Sequence, residues 1–306
     1  MRAQTPRAQD ATALACATCG GTSTRPLYEK SGYAVGQCVR CGLVYANPRA
    51  PHAKILGRYT PQYFWNEYLP SLGVTNTAPP DLDRFDARYR AILTLLGARA
   101  PGRRLLEAGC GAGFFLKAAE RAGWLVTGIE LSDEAARFTS AELGLTIRQQ
   151  PVEEAAIEPG SFDAAAMFDV IEHLFEPRAV LQALARSLAE DGSLVISTPN
   201  FDAASRFVMG VDWAVISPLE HTYYFTENSL RQLLEATGFD RVEFVRMHAM
   251  WGPMETMNFR YTHAPGALRT RLCEVAVRLG GFPLARALQR AGRQDALLCF
   301  ARKAAA

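Results

Sequence analysis

Residues able to do chemistry cluster first in the run Leu105-Leu106-Glu107-Ala108-Gly109-Cys110-Gly111-Ala112-Gly113. An acid closes a short apolar, strand-like stretch. Three glycines at alternate positions follow, and a helix-like run occupies 114–122. Glycines so placed let the backbone turn sharply and lie against a bulky ligand that a Cβ would obstruct. A second acid, Glu130, ends the apolar run 124–129. It stands about 20 residues on, the distance at which an acid reaches a nucleoside ribose in a βαβ unit. Strand, glycine turn, helix and second acid together predict a nucleoside cofactor.

Four cysteines form a second group. Cys16-Ala17-Thr18-Cys19 and Cys38-Val39-Arg40-Cys41 make a C-x₂-C pair with the spacing of a zinc ribbon. Each turn can point two thiolates inward, and two turns complete a tetrahedral four-sulfur site. Such a site leaves zinc no open position, so the metal is expected to be structural. A module this small cannot bury enough core, and the metal would supply its folding free energy. The competing reading, two disulfides, is disfavoured in a reducing cytoplasm. Cys110, Cys273 and Cys299 lack partner spacing and read as buried apolar residues, with Cys110 placed to line the cofactor turn.

A third group is Asp169-Val170-Ile171-Glu172-His173. If this segment is helical, Asp169, Glu172 and His173 share one face. His173 is then a candidate general base with a pKa near working pH. Alternatively the trio holds a divalent cation, or Glu172 and His173 shape the loop beside the cofactor. His221 in Leu219-Glu220-His221-Thr222 is the second candidate, facing the acceptor from the other side or fixing the loop before the helix capped at Thr226.

The glycine pattern is Glu107-x-Gly109-x-Gly111-x-Gly113 rather than the dinucleotide fingerprint G-x-G-x-x-G. A dinucleotide fold offers a helix N-terminus to a pyrophosphate, whereas S-adenosylmethionine (SAM) carries an ammonium, a carboxylate and a sulfonium, which an acid beside the turn suits better. The region resembles motif I of the class I SAM-dependent methyltransferases. The resemblance implies that Glu107, Gly109, Cys110, Gly111 and Gly113 cradle SAM, that Glu130 and Leu131 meet its ribose, and that Gln150-Pro151-Val152-Glu153 supplies adenine contacts from Val152 and Glu153. Residues 161–169, ending at Asp169, resemble the family's fourth strand, and 192–200 its fifth. The resemblance covers roughly 84–248 and resumes at 295–303. Ubiquinone-type O-methyltransferases carry an acid-x-x-Glu-His where a magnesium-type ion has been placed, which implies the same for Asp169, Glu172 and His173. The four-cysteine module resembles the N-terminus of deoxysugar C-methyltransferases.

The elements that must position these groups follow from periodicity. Helical spacing over 83–96 precedes the first strand, and strand and helix signals then alternate to about 248. Strands are expected at 239–247 and 296–301, the last one antiparallel, as the resemblance implies. The expected fold is α/β, a Rossmann-like seven-stranded sheet with an antiparallel last strand, plus an N-terminal zinc ribbon. The divisions are a disordered tail at 1–13, the ribbon at 14–50 with strands near 33–35 and 43–45, an aromatic linker at 51–82, and the catalytic domain at 83–306. The linker is expected to pack the ribbon onto the main domain or to cover the site as a lid. Insertions at 200–218 and 249–292, the second read as two helices divided at 280–283, are candidates for the acceptor pocket.

Composition narrows the partners. Lys and Arg number 33 against 31 Asp and Glu, so net charge is close to neutral and gives no general case for nucleic acid or membrane binding. No apolar run approaches a membrane span, and the first fifteen residues lack the apolar core of a signal peptide. A cytoplasmic methyltransferase acting on a small-molecule acceptor is therefore expected. An RNA methyltransferase docking through its ribbon, and a non-enzymatic ribbon protein, are the competing readings. The basic 1–58 segment fits the former, and the intact glycine motif argues against the latter.

Overall fold

In the computed structural model, residues 13–75, 78–246 and 286–305 are described, with 275, 279–280 and 283–284. The expected tail lies almost wholly outside them, as does most of the 249–292 insertion and Cys273; residues 286–290 are helical.

The main sheet has seven strands: β4 (Arg104–Ala108), β5 (Leu125–Glu130), β6 (Ile147–Gln149), β7 (Phe162–Phe168), β8 (Leu188–Pro199), β10 (Phe239–Phe244) and β11 (Ala296–Lys303). Their order is β10-β11-β8-β7-β4-β5-β6. Strands β4 to β8 pair in parallel, and β11 runs antiparallel between β8 and β10. The central strands β4 and β7 are buried on both faces, which is why they read as continuous apolar runs. Helices Leu82–Gly97 and Phe114–Arg121 cover the sheet, and the rings of Phe85 and Phe114 stack at 3.9 Å, joining them. Parallel crossovers bring the carboxyl ends of β4, β5, β7 and β8 to one edge, where ligands bind in open α/β sheets.

A second sheet, of order β1-β2-β3-β9, uses β1 (Thr24–Lys30), β2 (Tyr33–Cys38), β3 (Val44–Ala46) and β9 (Tyr223–Tyr224). Strands β2 and β3 fall where the cysteine module predicts them. Strand β9 comes from far along the chain, so the cysteine module shares its sheet with the main domain. Its core is shared too: Cys16, Cys38, Leu43 and Tyr45 belong to the same buried cluster as Phe225 and Leu230.

The linker starts against the ribbon, Ile55 sharing a buried cluster with Tyr33 and with Phe175 and Leu219 of the main domain, and then runs on to the glycine turn. A π-helical turn at Phe64–Tyr68 packs Phe64 against Phe138 at 5.5 Å, over the helices that flank the glycine turn. Among the described residues, no helix is long and apolar enough to cross a membrane.

Candidate active site

The glycine turn leaves β4 at Ala108 and enters the helix Phe114–Arg121, with Gly113 as its left-handed cap. Gly109 and Cys110 donate their amides to the Ile129 carbonyl at 2.8 and 3.0 Å, tying the turn to β5. Glu130, buried at the end of β5, accepts the Gly111 amide on one oxygen and the Ser132 amide on the other, both at 2.7 Å. Burial raises its carboxyl above the ordinary range, and the backbone amides work against that rise. The second acid is thus both a ligand candidate and a clasp on the turn.

Glu107 is 3% exposed, and its Oε2 has no hydrogen-bond partner. Burial first, and Glu130 second, push its carboxyl well above the ordinary value. A buried, unpaired acceptor is costly unless something completes it. An ammonium at the sheet edge would do so by donating to that oxygen, and a sulfonium nearby would be favoured by the two carboxyl groups. SAM carries both cations, so Glu107, Glu130 and the turn fit it.

The glycines are needed for reasons the sequence did not show. A Cβ at Gly109 would stand 2.5 Å from Val170 Cγ2, and one at Gly111 would stand 2.0 Å from the Tyr68 hydroxyl. Protein side chains crowd these positions. Cys110 packs downwards, with its sulfur 2.9 Å from where a Cβ on Gly128 would lie, so its thiol points into the sheet rather than lining the cleft. Leu131 is half-buried after β5, and Val152 is buried in a short turn, Val152–Glu154. Glu153 accepts the Phe175 amide at 3.2 Å.

The segment after β7 differs from expectation. Asp169 has φ of 53°, and residues 171–173 form a turn closed by the His173 amide on the Val170 carbonyl. The helical face that would have gathered Asp169, Glu172 and His173 does not form. Asp169 instead accepts the Ser197 hydroxyl at 3.0 Å. Glu172, 2% exposed, accepts the Thr198 hydroxyl at 3.0 Å. The group whose ligand atoms converge within 4.8 Å is Glu172, His173 and His221.

The two imidazoles meet edge to face at 4.7 Å. His173 Nδ1 lies 2.9 Å from the Glu220 carbonyl, and His221 Nδ1 lies 2.7 Å from the Val215 carbonyl. A carbonyl only accepts, so each Nδ1 carries the proton and each Nε2 is left as a lone pair. Burial, then the neighbouring His221, lowers His173 to about 3, and burial lowers His221 to about 4. A base tuned near working pH is therefore not what this pocket makes of His173. Both rings are neutral acceptors at neutral pH.

The linker meets the glycine turn, where the Tyr68 hydroxyl accepts the Ala112 amide at 3.4 Å. Tyr59, Tyr63 and Tyr68 form a ladder with ring spacings of 6.3 and 6.5 Å. The Tyr59 ring stays partly exposed, and desolvation of its hydroxyl, with Glu130 and Tyr63 next, raises it above an ordinary phenol. Arg58 pairs with Glu220 at 2.7 Å and joins the linker to the His221 loop. Sequence reasoning flagged the aromatic density but not this ion pair, because two charged residues 162 positions apart carry no local pattern.

The four cysteines converge, with Cys16 Sγ 3.3 Å from Cys41 Sγ and Cys19 Sγ 3.6 Å from Cys38 Sγ. A tetrahedral zinc with bonds of about 2.3 Å sets sulfurs about 3.8 Å apart. The spacing fits such an ion, and the thiols are unbridged.

Comparison with known proteins bears on the family and the fold. Residues 82–243 match the family model described as a methyltransferase domain. A ubiquinone biosynthesis O-methyltransferase of Xanthomonas campestris is 42% identical over 106 residues, covering 33% of this chain and 44% of the relative. The chain thus spans less than half the length of that curated relative. A SAM-dependent methyltransferase of Archaeoglobus fulgidus superposes with a TM-score of 0.50 at 17% identity, covering 77% of this chain and 98% of the other. The [4+2]-cyclase SpnF superposes with a TM-score of 0.50 at 19% identity, covering 84% and 99%. These two likenesses concern the fold alone, and the second warns that the fold does not dictate the reaction.

Proposed function

This chain belongs to the methyltransferase-domain family, and on that premise we propose that it transfers a methyl group from SAM to a small-molecule acceptor. The unpartnered buried oxygen of Glu107, beside the glycine turn and Glu130, carries the reading. Glu107 and Glu130 hold the cationic and ribose ends of the cofactor, and the turn 109–113 supports its body. Val152 and Glu153 stand on the adenine side. When bound, SAM supplies a methyl group already activated on sulfonium.

The chain's own residues then have three tasks. The tyrosine ladder and the Arg58–Glu220 pair close the cleft against water, which strengthens electrostatic contacts within it. The space between the cradle and the histidine pair would take the acceptor, and holding it there would orient it towards the methyl group. His173 Nε2, held by the Glu220 carbonyl on its other nitrogen, accepts a hydrogen bond from an acceptor hydroxyl and orients it. That nitrogen would receive the hydroxyl proton as the oxygen gains its methyl group and, holding it weakly, would pass it on to water. The activity in the name of the Xanthomonas relative makes an O-methyl product the first to seek.

Two metal readings accompany this one. Zinc at Cys16, Cys19, Cys38 and Cys41 plays a structural part. A divalent cation in the cleft, where one binds, uses Glu172, His173 and His221, since Asp169 turns towards Ser197.

Titration of SAM into the purified protein, with and without Glu107→Gln, tests the cofactor assignment. Incubation with labelled SAM and fractions of the native metabolome then identifies the acceptor by the mass of one methyl group.

A further inference from the structure

The four-cysteine module and the acceptor half of the cleft are one structure. Strand β3 begins three residues after Cys41, and the Cys38 amide donates to the Leu43 carbonyl at 2.8 Å, closing the second knuckle. Strand β3 pairs with β9, Val44 facing Tyr224 and Tyr45 facing Tyr223, and the Ala46 amide donates to the Thr222 carbonyl at 2.8 Å. His221 lies two residues before this strand. From the other side, the amides of Thr222 and Tyr223 donate to the Glu172 carbonyl at 2.8 and 3.1 Å. Thr222 is therefore held between the ribbon and the turn that carries Glu172 and His173.

Packing follows the same route. Val35 and Val44 of the ribbon share a buried cluster with Trp213, Val215 and Ile216, and Val215 supplies the carbonyl that fixes His221. Arg178, at the start of the helix Pro177–Ser187, donates Nε to the Ala17 carbonyl at 2.8 Å in the first knuckle. The glycine turn and Glu130 are instead clasped by β5 and met by the linker. None of their hydrogen bonds described above reaches the ribbon.

We propose that metal loading at the four cysteines sets the positions of His173 and His221 through β3 and β9, while the cofactor cradle is independent of it. The proposal rests on the methyltransferase reading for what the histidines do, but the coupling itself does not. Val44, Tyr45 and Ala46 act as positioning residues. Without the metal, a module that lacks a core of its own loosens at its knuckles. Strand β3 then frays, β9 loses its partner, and the two imidazoles lose the frame that faces them to one another. The module is thus a brace for the acceptor side rather than a docking arm.

The test uses the full chain labelled on its histidine rings. The sequence has only five histidines, so their ring signals are separable by NMR. Metal content, SAM affinity by calorimetry and ring signals are measured together for the wild type, Cys38→Ser and Ala46→Pro. Cys38→Ser is expected to lose its zinc, keep SAM affinity within about threefold, and shift or broaden the His173 and His221 signals. Ala46→Pro removes the amide that bonds Thr222 without touching a thiolate. It is expected to retain zinc and SAM affinity and still move both signals. Unmoved His173 and His221 signals in either variant would overturn the coupling. Loss of SAM binding in both variants would overturn the independence of the cradle. A wild type that binds no SAM would refute the methyltransferase reading alone, because the ring signals would still report the brace.

Discussion

Gly111→Ala places a methyl group against the linker, and the consequence can be worked through from the geometry. Gly111 has φ of 54°, where a non-glycine residue costs about 1–2 kcal/mol. An ideal Cβ would lie 2.0 Å from the Tyr68 hydroxyl oxygen, whereas ordinary contact begins near 3.4 Å, so about 1.4 Å must be recovered. Tyr68 cannot give that distance freely, because its ring stacks on buried Phe64 at 5.8 Å. Overpacking of this kind costs about 1–3 kcal/mol. The sum is a loss of about 2–5 kcal/mol of stability. Tyr68→Phe removes the offending oxygen and leaves Cζ at 2.9 Å, so the deficit falls to about 0.5 Å. Alone it forfeits the 3.4 Å contact with the Ala112 amide, worth at most about 1 kcal/mol. The double variant should therefore be more stable than the sum of the singles by about 1–2 kcal/mol. Urea unfolding of all four proteins measures this, provided the m-value is unchanged. Additivity within about 0.5 kcal/mol would refute the claim that Tyr68 stands on Gly111.

Further outcomes follow from the same structure. Glu107→Gln removes a buried acid with an unpartnered oxygen, so the midpoint of unfolding should hold or rise while SAM affinity falls at least about tenfold, as calorimetry would read. Phe85→Ala empties one face of the Phe85–Phe114 stack and should cost about 3–5 kcal/mol in urea unfolding. Asp163 is held below the usual carboxylate range by the Arg104 guanidinium, so its stabilising contribution is present at neutral pH and is lost as pH falls through its lowered value. The destabilisation by Asp163→Asn, followed by thermal melts, should accordingly narrow below about pH 4. His173→Ala should leave SAM affinity within about threefold of wild type and lower turnover once an acceptor is known; unaltered turnover would assign the ring to loop shape alone.

The strand–turn–helix of the cofactor cradle was legible in sequence because it is local. Alternating glycines and the acids ending β4 and β5 are read within one βαβ unit, and the bounds of β10 and β11 moved by only a few residues. The cysteine module was legible from spacing, but half of its sheet was not. Tyr223–Tyr224 is a strand only because β3 lies beside it, and two residues carry no periodicity. Asp169, Glu172 and His173 share a face only if the segment is helical, and the positive φ of Asp169 means that this condition is not met. His221 replaced Asp169 through a contact spanning 48 positions, which no window along the chain can report. The glycines were expected for the ligand's sake. Val170 and Tyr68 show that neighbouring side chains demand them as well.

The most direct test of the account is calorimetric titration of SAM, and separately of NAD, into the wild-type chain. Saturable one-to-one binding of SAM, weakened in Glu107→Gln and absent for NAD, is the predicted result. Binding of NAD with no heat from SAM would contradict the assignment of the cradle formed by Glu107, Gly111 and Glu130.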